Sequence, residues 1–412
     1  QLLTSAADWA SVNRWLIASS LRDPGDRGMK RVLAGTTAFV GTALTVGPPA
    51  IGAEPIKLAI GGSYNAAYMA VFDDDAEGQA GNEHNTDGFF QDAELHFAGW
   101  THLDNGLEVG ARVELQGETD DQQIDESWVY LSGGLGEVRA GAFDDALGEM
   151  CVIPPGGTEN FSAFSPNQWG ANTLNTNSVC TGIDDEGDAQ KIAYFSPVFG
   201  GFQLGISYTP SGDKKSHVDG VGPHVGMPIN EEDESRHNVS VYGTYSYEAD
   251  EWSLQIGAGA AWEGNVEKAD GGPNRDESEF YQAGMIVGIG DFAAGAAFEY
   301  YHDDDLFVPT LENGDVRADR WVLGVGAAYE IEPWSFGVGY SITRAGVNIR
   351  DRPDDDFTLQ RVALTADYEL VGGIDLDGEV AYTWQEAGGP GFDDSADNYD
   401  AIEIGIGTSI EF

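Results

Sequence analysis

From Ala401 to Phe412 the chain alternates strictly between two kinds of position. Ile402, Ile404, Ile406, Thr408, Ile410 and Phe412 fall on one face; Glu403, Gly405, Gly407, Ser409 and Glu411 fall on the other. A period of two predicts a strand, because successive side chains of a strand point to opposite faces. The pattern recurs in Trp334, Phe336, Val338, Tyr340 and Ile342, and in Ile374, Leu376, Gly378, Val380, Tyr382 and Trp384. It recurs again in Trp252, Leu254, Ile256, Ala258, Ala260 and Trp262. A soluble sandwich alternates too. Aromatics bracketing an aliphatic band are more specific, since they match the two interfacial girdles of a β-barrel that crosses a bilayer.

Sixteen strands are predicted, starting near Ile56, Gly88, Leu107, Ile124, Glu137, Gln190, Gly201, Arg236, Glu251, Ser278, Asp291, Arg317, Pro333, Phe357, Gly373 and Asp400. Every second connection is a tight turn, such as Asp104-Asn105-Gly106, Gly133–Gly136, Glu332-Pro333 or Gly372-Gly373. The intervening ones are long, polar and acidic, and include 73–87, 144–189, 210–235, 264–277, 303–316, 347–356 and 387–399. Short turns at one rim and long loops at the other are expected of outer-membrane barrels, the short ones being periplasmic. An even strand count then puts both termini in the periplasm. The fold class expected is all-β, a 16-stranded antiparallel transmembrane barrel.

The beginning of the chain adds export to this picture. Met29-Lys30-Arg31 is a positive n-region, Val32–Val46 is apolar and rich in small residues, and Pro48 and Pro49 break it. With Ile51-Gly52-Ala53 as a small-residue cleavage site, 29–53 reads as a secretory signal peptide. Residues 1–28 lie upstream of a natural initiator and are expected to be a mis-annotated extension without a fold, leaving 54–412 as the barrel. Beyond residue 53 no run approaches the ~20 apolar residues of a transmembrane helix. The other way to pair every backbone group in lipid is a closed barrel. Composition agrees, with 56 Gly, 70 acids and 20 bases. Removing 1–53 takes away five bases and three acids, leaving 15 against 67 and a net charge of −52.

Several segments resemble a known family. Pro55–Ile60, Gly106-Leu107-Glu108-Val109-Gly110-Ala111, and Val129-Tyr130-Leu131-Ser132-Gly133 running into Gly136-Glu137-Val138-Arg139-Ala140-Gly141 carry the likeness. They are similar to the general porins of Gram-negative bacteria, the alphaproteobacterial branch above all, over 54–150 and again in the terminal strand. The resemblance implies a homotrimeric barrel in outer-membrane lipid whose third long loop folds inward to narrow a pore. Here that loop is 144–189. It also implies that Phe412 is the terminal aromatic offered to the barrel-assembly machinery. Cys151 and Cys180, both within the loop, depart from the family.

These two cysteines are the only ones in the chain. In an exported protein they read as a disulfide rather than free thiols, worth on the order of 3 kcal/mol by chain entropy. No His lies in the loop, which argues against a metal site there. Field lines concentrate in a narrow opening with low-dielectric walls, so a few ionised groups set which ions enter. Asp144, Asp145, Glu149 and Glu159, with Asp184, Asp185, Glu186 and Asp188 at the loop's end, are candidates for an acidic side of a constriction. Strand parity turns Arg112, Arg139, Lys191, Arg320 and Arg361 inward as a basic wall. A transverse field between the two, as in the family, is the functional reading; the plainer one is that some only pair with neighbours or snorkel at the rim. Parity is ambiguous in the strands starting at Ile124 and Ser278.

The acidic runs Asp73-Asp74-Asp75, Glu231-Glu232-Asp233-Glu234, Asp303-Asp304-Asp305, Asp354-Asp355-Asp356 and Asp393-Asp394 read first as solvated loop surface. The sharper reading is loop-bound Ca2+ or Mg2+ bridging to anionic lipopolysaccharide, although no run has EF-hand spacing. Gly288-Ile289-Gly290-Asp291-Phe292-Ala293 fits a dinucleotide fingerprint, but Phe292, Ala294, Ala296, Phe298 and Tyr300 follow at period two where a helix is required. The seven histidines are scattered and no G-x-S-x-G occurs. Catalysis, a resident cofactor and nucleic-acid binding are therefore not expected. The function expected is passive diffusion of ions and small hydrophilic solutes through a water-filled, cation-preferring channel. The alternative is a substrate-selective channel, for sugars for instance, hinted at by Trp100.

Overall fold

The computed structural model describes residues 44–46, 54–73, 85–117, 124–164, 178–180, 189–212, 235–264, 277–307, 315–349, 352–388 and 398–412. The expected upstream extension and most of the expected signal peptide lie outside these residues. A three-residue strand, β1 (Leu44–Val46), pairs with the start of β2, Leu44 opposite Leu58. Sixteen longer strands carry the architecture: β2 (Ile56–Asp73), β3 (Asp87–His102), β4 (Glu108–Gln116), β5 (Ile124–Gly133), β6 (Gly136–Ala142), β7 (Gln190–Phe195), β8 (Phe202–Ser211), β9 (Arg236–Glu248), β10 (Trp252–Glu263), β11 (Ser278–Ile289), β12 (Phe292–Phe307), β13 (Asp315–Ile331), β14 (Trp334–Ile349), β15 (Arg352–Val371), β16 (Ile374–Gly388) and β17 (Tyr399–Glu411). All but one of these start within two residues of the position that periodicity predicts.

Each of β2 to β16 pairs antiparallel with the next strand, and β17 pairs back onto β2, from Ala401 opposite Asp73 to Glu411 opposite Ser63. The sheet is therefore a closed ring. Phe412 completes the seam: its N–H donates to the Gly62 carbonyl at 3.1 Å, and the Gly62 N–H donates to the Phe412 carbonyl at 2.9 Å. Closure pairs each of the sixteen longer strands on both sides, which is the condition for a sheet to sit in hydrocarbon.

The alternation read from the sequence separates two environments. Along β17, Ile402, Ile404 and Ile406 are exposed on the outside, while Ala401 and Glu403 are buried on the inside. Outward aromatics gather at two levels. Toward the short-turn rim Trp334 packs on Phe336 and Tyr368 at 5.8 and 4.7 Å, and Tyr247 packs on Trp252 at 5.1 Å. Toward the long-loop rim Tyr281 meets Tyr300, Phe298 meets Trp321, and Tyr382 meets Trp384.

Two expected loops are corrected. β12 runs on to Phe307 and β15 begins at Arg352, so Asp303-Asp304-Asp305 and Asp354-Asp355-Asp356 lie on strand ends. The β14–β15 ladder continues through Val347 opposite Asp355 to Ile349 opposite Arg352. Hairpin hydrogen bonding needs no apolar face once both sides meet water, so the hydrophobic pattern stops before the strand does.

Residues 143–164 of the connection between β6 and β7 pack against inner strand faces. The connection opens with a short helix, α1 (Ala146–Met150). Phe143, Ala146, Leu147 and Met150 pack with Trp128, Ala193, Phe195, Tyr242, Phe280 and Tyr301 from the inner face. Farther along, Phe164 and Val179 pack with Ala297, Val322, Ala363 and Ala381, and Phe161 with Ala67, Met69, Val71 and Ala401. Burying each such aromatic supplies roughly 1.5–3 kcal/mol. Wall glycines make the approach possible. A Cβ at Gly326 would fall on the carbonyl oxygen of Pro155, and one at Gly405 on the ring of Phe161.

Candidate functional site

The segment from Phe143 to Phe164 and the inner strand faces it meets form the candidate site. Cys151 and Cys180 are joined by a disulfide, their Cα atoms 6.1 Å apart. One wall residue braces both sides of this bridge. Gln282 Nε2 donates to the carbonyls of Val152 and Val179, each at 3.1 Å, one residue after the first cysteine and one before the second. The Tyr242 hydroxyl donates to Gln282 Oε1 and accepts from the Val152 N–H at 3.2 Å. Gln282 lies on β11, where sequence parity is ambiguous because Phe280 and Ile286 face inward as well as Tyr281 and Met285 outward.

The far end of the segment is tied to Asp377 on β16. Its carboxylate accepts from the Thr158 hydroxyl at 2.6 Å, the Asn160 N–H at 3.2 Å and Asn160 Nδ2 at 2.9 Å. The Gly156 carbonyl accepts from the Thr365 hydroxyl at 3.2 Å, and the Ala163 carbonyl accepts from the Ser341 hydroxyl. The anchors thus come from β14, β15 and β16, across the ring from where the segment begins.

Of the acidic candidates, Asp145 is buried and caps α1, accepting from the Gly148 N–H at 2.7 Å. Such a cap satisfies one of the helix's orphan donors. Glu149 pairs with Arg139 at 2.7 Å. Asp144 is half-buried, its N–H donating to Glu126 at 3.1 Å. Glu159 keeps an exposed side chain. Enclosure by the barrel wall, together with Glu411, Asp377, Asp375 and Asp367, pushes its pKa up to about 8. Asp184, Asp185, Glu186 and Asp188 lie outside the described residues.

All five basic candidates sit on the inner face, and each is matched locally. Arg139 lies 2.6 Å from Glu137 and packs over Trp128, Phe143 and Phe195. Arg112 lies 2.5 Å from Glu114 and 5.2 Å from the centre of the Trp128 ring. Arg361 is clamped between Glu379 and Glu403 and donates to Thr383 at 3.0 Å. Arg320 stands 3.8 Å from Glu299 and over Tyr301. Lys191 donates to the carbonyls of Phe143 and Ala189. Apart from Glu149 on α1, the glutamates that neutralise these bases lie on the polar faces of the strands, where alternation alone could have placed them.

Comparison with known proteins agrees with this architecture. A Gram-negative porin family model matches residues 35–388. A monosaccharide porin from Halomonas sp and the major outer membrane protein of Halomonas elongata are each 24% identical over 404 residues, spanning 92% of this chain and 99% of theirs. Among solved structures, the trimer form of OmpT from Vibrio cholerae has a TM-score of 0.56 at 12% identity, covering 87% of this chain and 99% of its own. The outer membrane channel DcaP of Acinetobacter baumannii gives 0.56 at 13%, covering 90% and 100%. At these identities the structural likeness concerns the fold, whereas the family match spans most of the chain. The chain belongs to the Gram-negative porins and is an outer-membrane β-barrel.

Proposed function

We propose that the barrel is a water-filled channel for passive diffusion of ions and small hydrophilic solutes, that it prefers cations, and that the 144–189 connection narrows it. The observation that carries the cation preference is the pairing of the inner wall. Arg112, Arg139, Arg320 and Arg361 each stand against at least one glutamate, and Arg139 and Arg361 each against two. The positive side of a transverse field is thereby cancelled where it stands. Glu159 is exposed and lies near Glu411, Asp377, Asp375 and Asp367, an acidic group that gains charge as Glu159 ionises around pH 8. Low-dielectric walls focus such charge.

Reversal potentials in a planar bilayer under a KCl gradient test this reading. A potential of the sign set by K+ is expected. A chloride-selective potential would refute the preference, and a silent protein would refute the channel. A homotrimer is the assembly proposed, to be checked by light scattering in detergent, with a monomer as the contrary result.

A sugar-selective channel is the second reading, favoured by the full-length likeness to a monosaccharide porin. Two arginines already cover Trp128 on the inner wall, so that ring is not a free sugar platform. Sugar added to the same bilayers separates the two readings: concentration-dependent block at micromolar to millimolar sugar belongs only to the selective one.

A further inference from the structure

Three side chains converge on the inner face of β3 and β4, beside the start of the segment described above. Glu94 and His96 are two residues apart on β3 and share a face, and His96 is the direct cross-strand partner of Glu114 on β4. His96 Nε2 lies 2.9 Å from Glu94 Oε2 and 3.5 Å from Glu114 Oε2. One ligand atom from each residue lies within 4.8 Å of the other two. Atoms bound about 2.1 Å from a common zinc ion stand roughly 3 to 3.5 Å apart, so the two His96 distances match a shared ion. His96 and Glu114 are buried, and the Glu94 side chain is 26% exposed, which leaves an approach from the barrel interior.

We propose that Glu94, His96 and Glu114 bind a divalent metal ion of the borderline class, for which Zn2+ is the probe. An imidazole with two carboxylates suits Zn2+, Cu2+ or Ni2+, whereas Ca2+ and Mg2+ take oxygen ligands. The site is independent of whether the channel prefers cations. It also lies apart from the acidic runs near the loops.

Arg112 tunes this site. Its Nη2 lies 3.2 Å from His96 Nδ1, and its Nε lies 2.5 Å from Glu114 Oε1. A donor at Nδ1 puts the proton of the neutral imidazole on Nε2, where it faces both carboxylates. A metal bound at Nε2 shifts that proton to Nδ1, so the guanidinium turns away as the ion arrives. Metal and Arg112 compete for the same ring and the same carboxylate.

Calorimetric titration of the full, detergent-folded protein with Zn2+, in excess Mg2+ to occupy the acidic surface, tests the proposal. His96→Ala and Glu114→Gln are expected to weaken Zn2+ binding roughly tenfold or more, and Arg112→Met to strengthen it. Heat-modified gel migration identifies variants that keep a folded barrel. Paramagnetic resonance with Cu2+ is a second readout that a merely structural role would not move: a nitrogen coupling present in the parent protein is lost in His96→Ala. Equal Zn2+ affinity in the parent and His96→Ala, an unchanged Cu2+ spectrum, or weaker binding in Arg112→Met would each overturn the proposal.

Discussion

Arg139 shows what an inward base does in this wall. It is 2% exposed, holds Glu137 at 2.6 Å and Glu149 at 2.7 Å, and so ties a strand to the helix beside it. Removing one partner of a buried ion pair costs roughly 3–5 kcal/mol, because the other charge is left without compensation. Arg139→Met strands two carboxylates at once and is expected to lower the unfolding temperature in detergent markedly. Arg139→Lys should recover only part, since an ammonium cannot reproduce the forked geometry. Glu159 makes a different prediction. Its carboxyl titrates at about 8 in the folded protein, far above the ordinary carboxylate range. Its contribution to stability therefore declines as pH rises from that range, where the unfolded chain ionises, and levels off above about 8. The same ionisation adds a negative charge to the lumen, so cation preference should increase between pH 7 and 9. Glu159→Gln should flatten that rise, and an equal rise in the variant would assign it to another group. Parity alone made the inward bases legible in the sequence. It could not show their cancellation, because pairing depends on strand register and on where the loop lands.

At the scale of elements, periodicity located the strands well because each must present one face to lipid. It failed where that demand lapses. Beyond the membrane the β14–β15 hairpin keeps its ladder with acidic residues, and on β11 both faces carry apolar side chains because one packs against the loop. The loop was legible as the longest connection, and its cysteines as a bridge. Its path was not, because the residues that fix it are scattered over β11, β14, β15 and β16. Gln282 and Asp377 are the two principal polar anchors, one at the disulfide and one at the far end. Asp377→Ala removes the acceptor for Thr158 and Asn160, each such bond being worth about 0.5–1.5 kcal/mol, or more because the acceptor is charged. The far end should then leave the wall, giving larger fluctuations in single-channel current while the barrel stays folded. Gln282→Leu acts at the disulfide end, where the covalent bridge still restrains the chain, and its effect should be smaller. Reduction of the disulfide in the Gln282→Leu variant should bring the fluctuations up to those of Asp377→Ala. Quiet channels in all three cases would mean that the aromatic anchors Phe143, Phe161 and Phe164 suffice to hold the segment.

For the whole molecule, a formal net charge of −50 must be reconciled with an apolar outer band. Alternation does this by sending one side chain of each strand pair to lipid and the other inward, so the charge of the described strands collects inside the ring. Charge held this way acts through a field and should respond to salt. The Debye length is ~10 Å at 0.1 M and ~3 Å at 1 M ionic strength. Groups set back in the wall or on the rim therefore influence a passing ion in dilute salt and lose that influence in concentrated salt. With the gradient ratio fixed, the reversal potential should be strongly cation-selective around 0.1 M KCl and should shrink toward the value set by ion mobilities above 1 M. Conductance should rise less than proportionally with salt in the dilute range, since the proposed acidic lumen would hold its own counterions. Selectivity that persisted at high salt would place discrimination in direct contact between ion and side chain at a narrow point. That result would shift attention from the summed charge of the barrel to a few groups, Glu159 first among those proposed for the constriction.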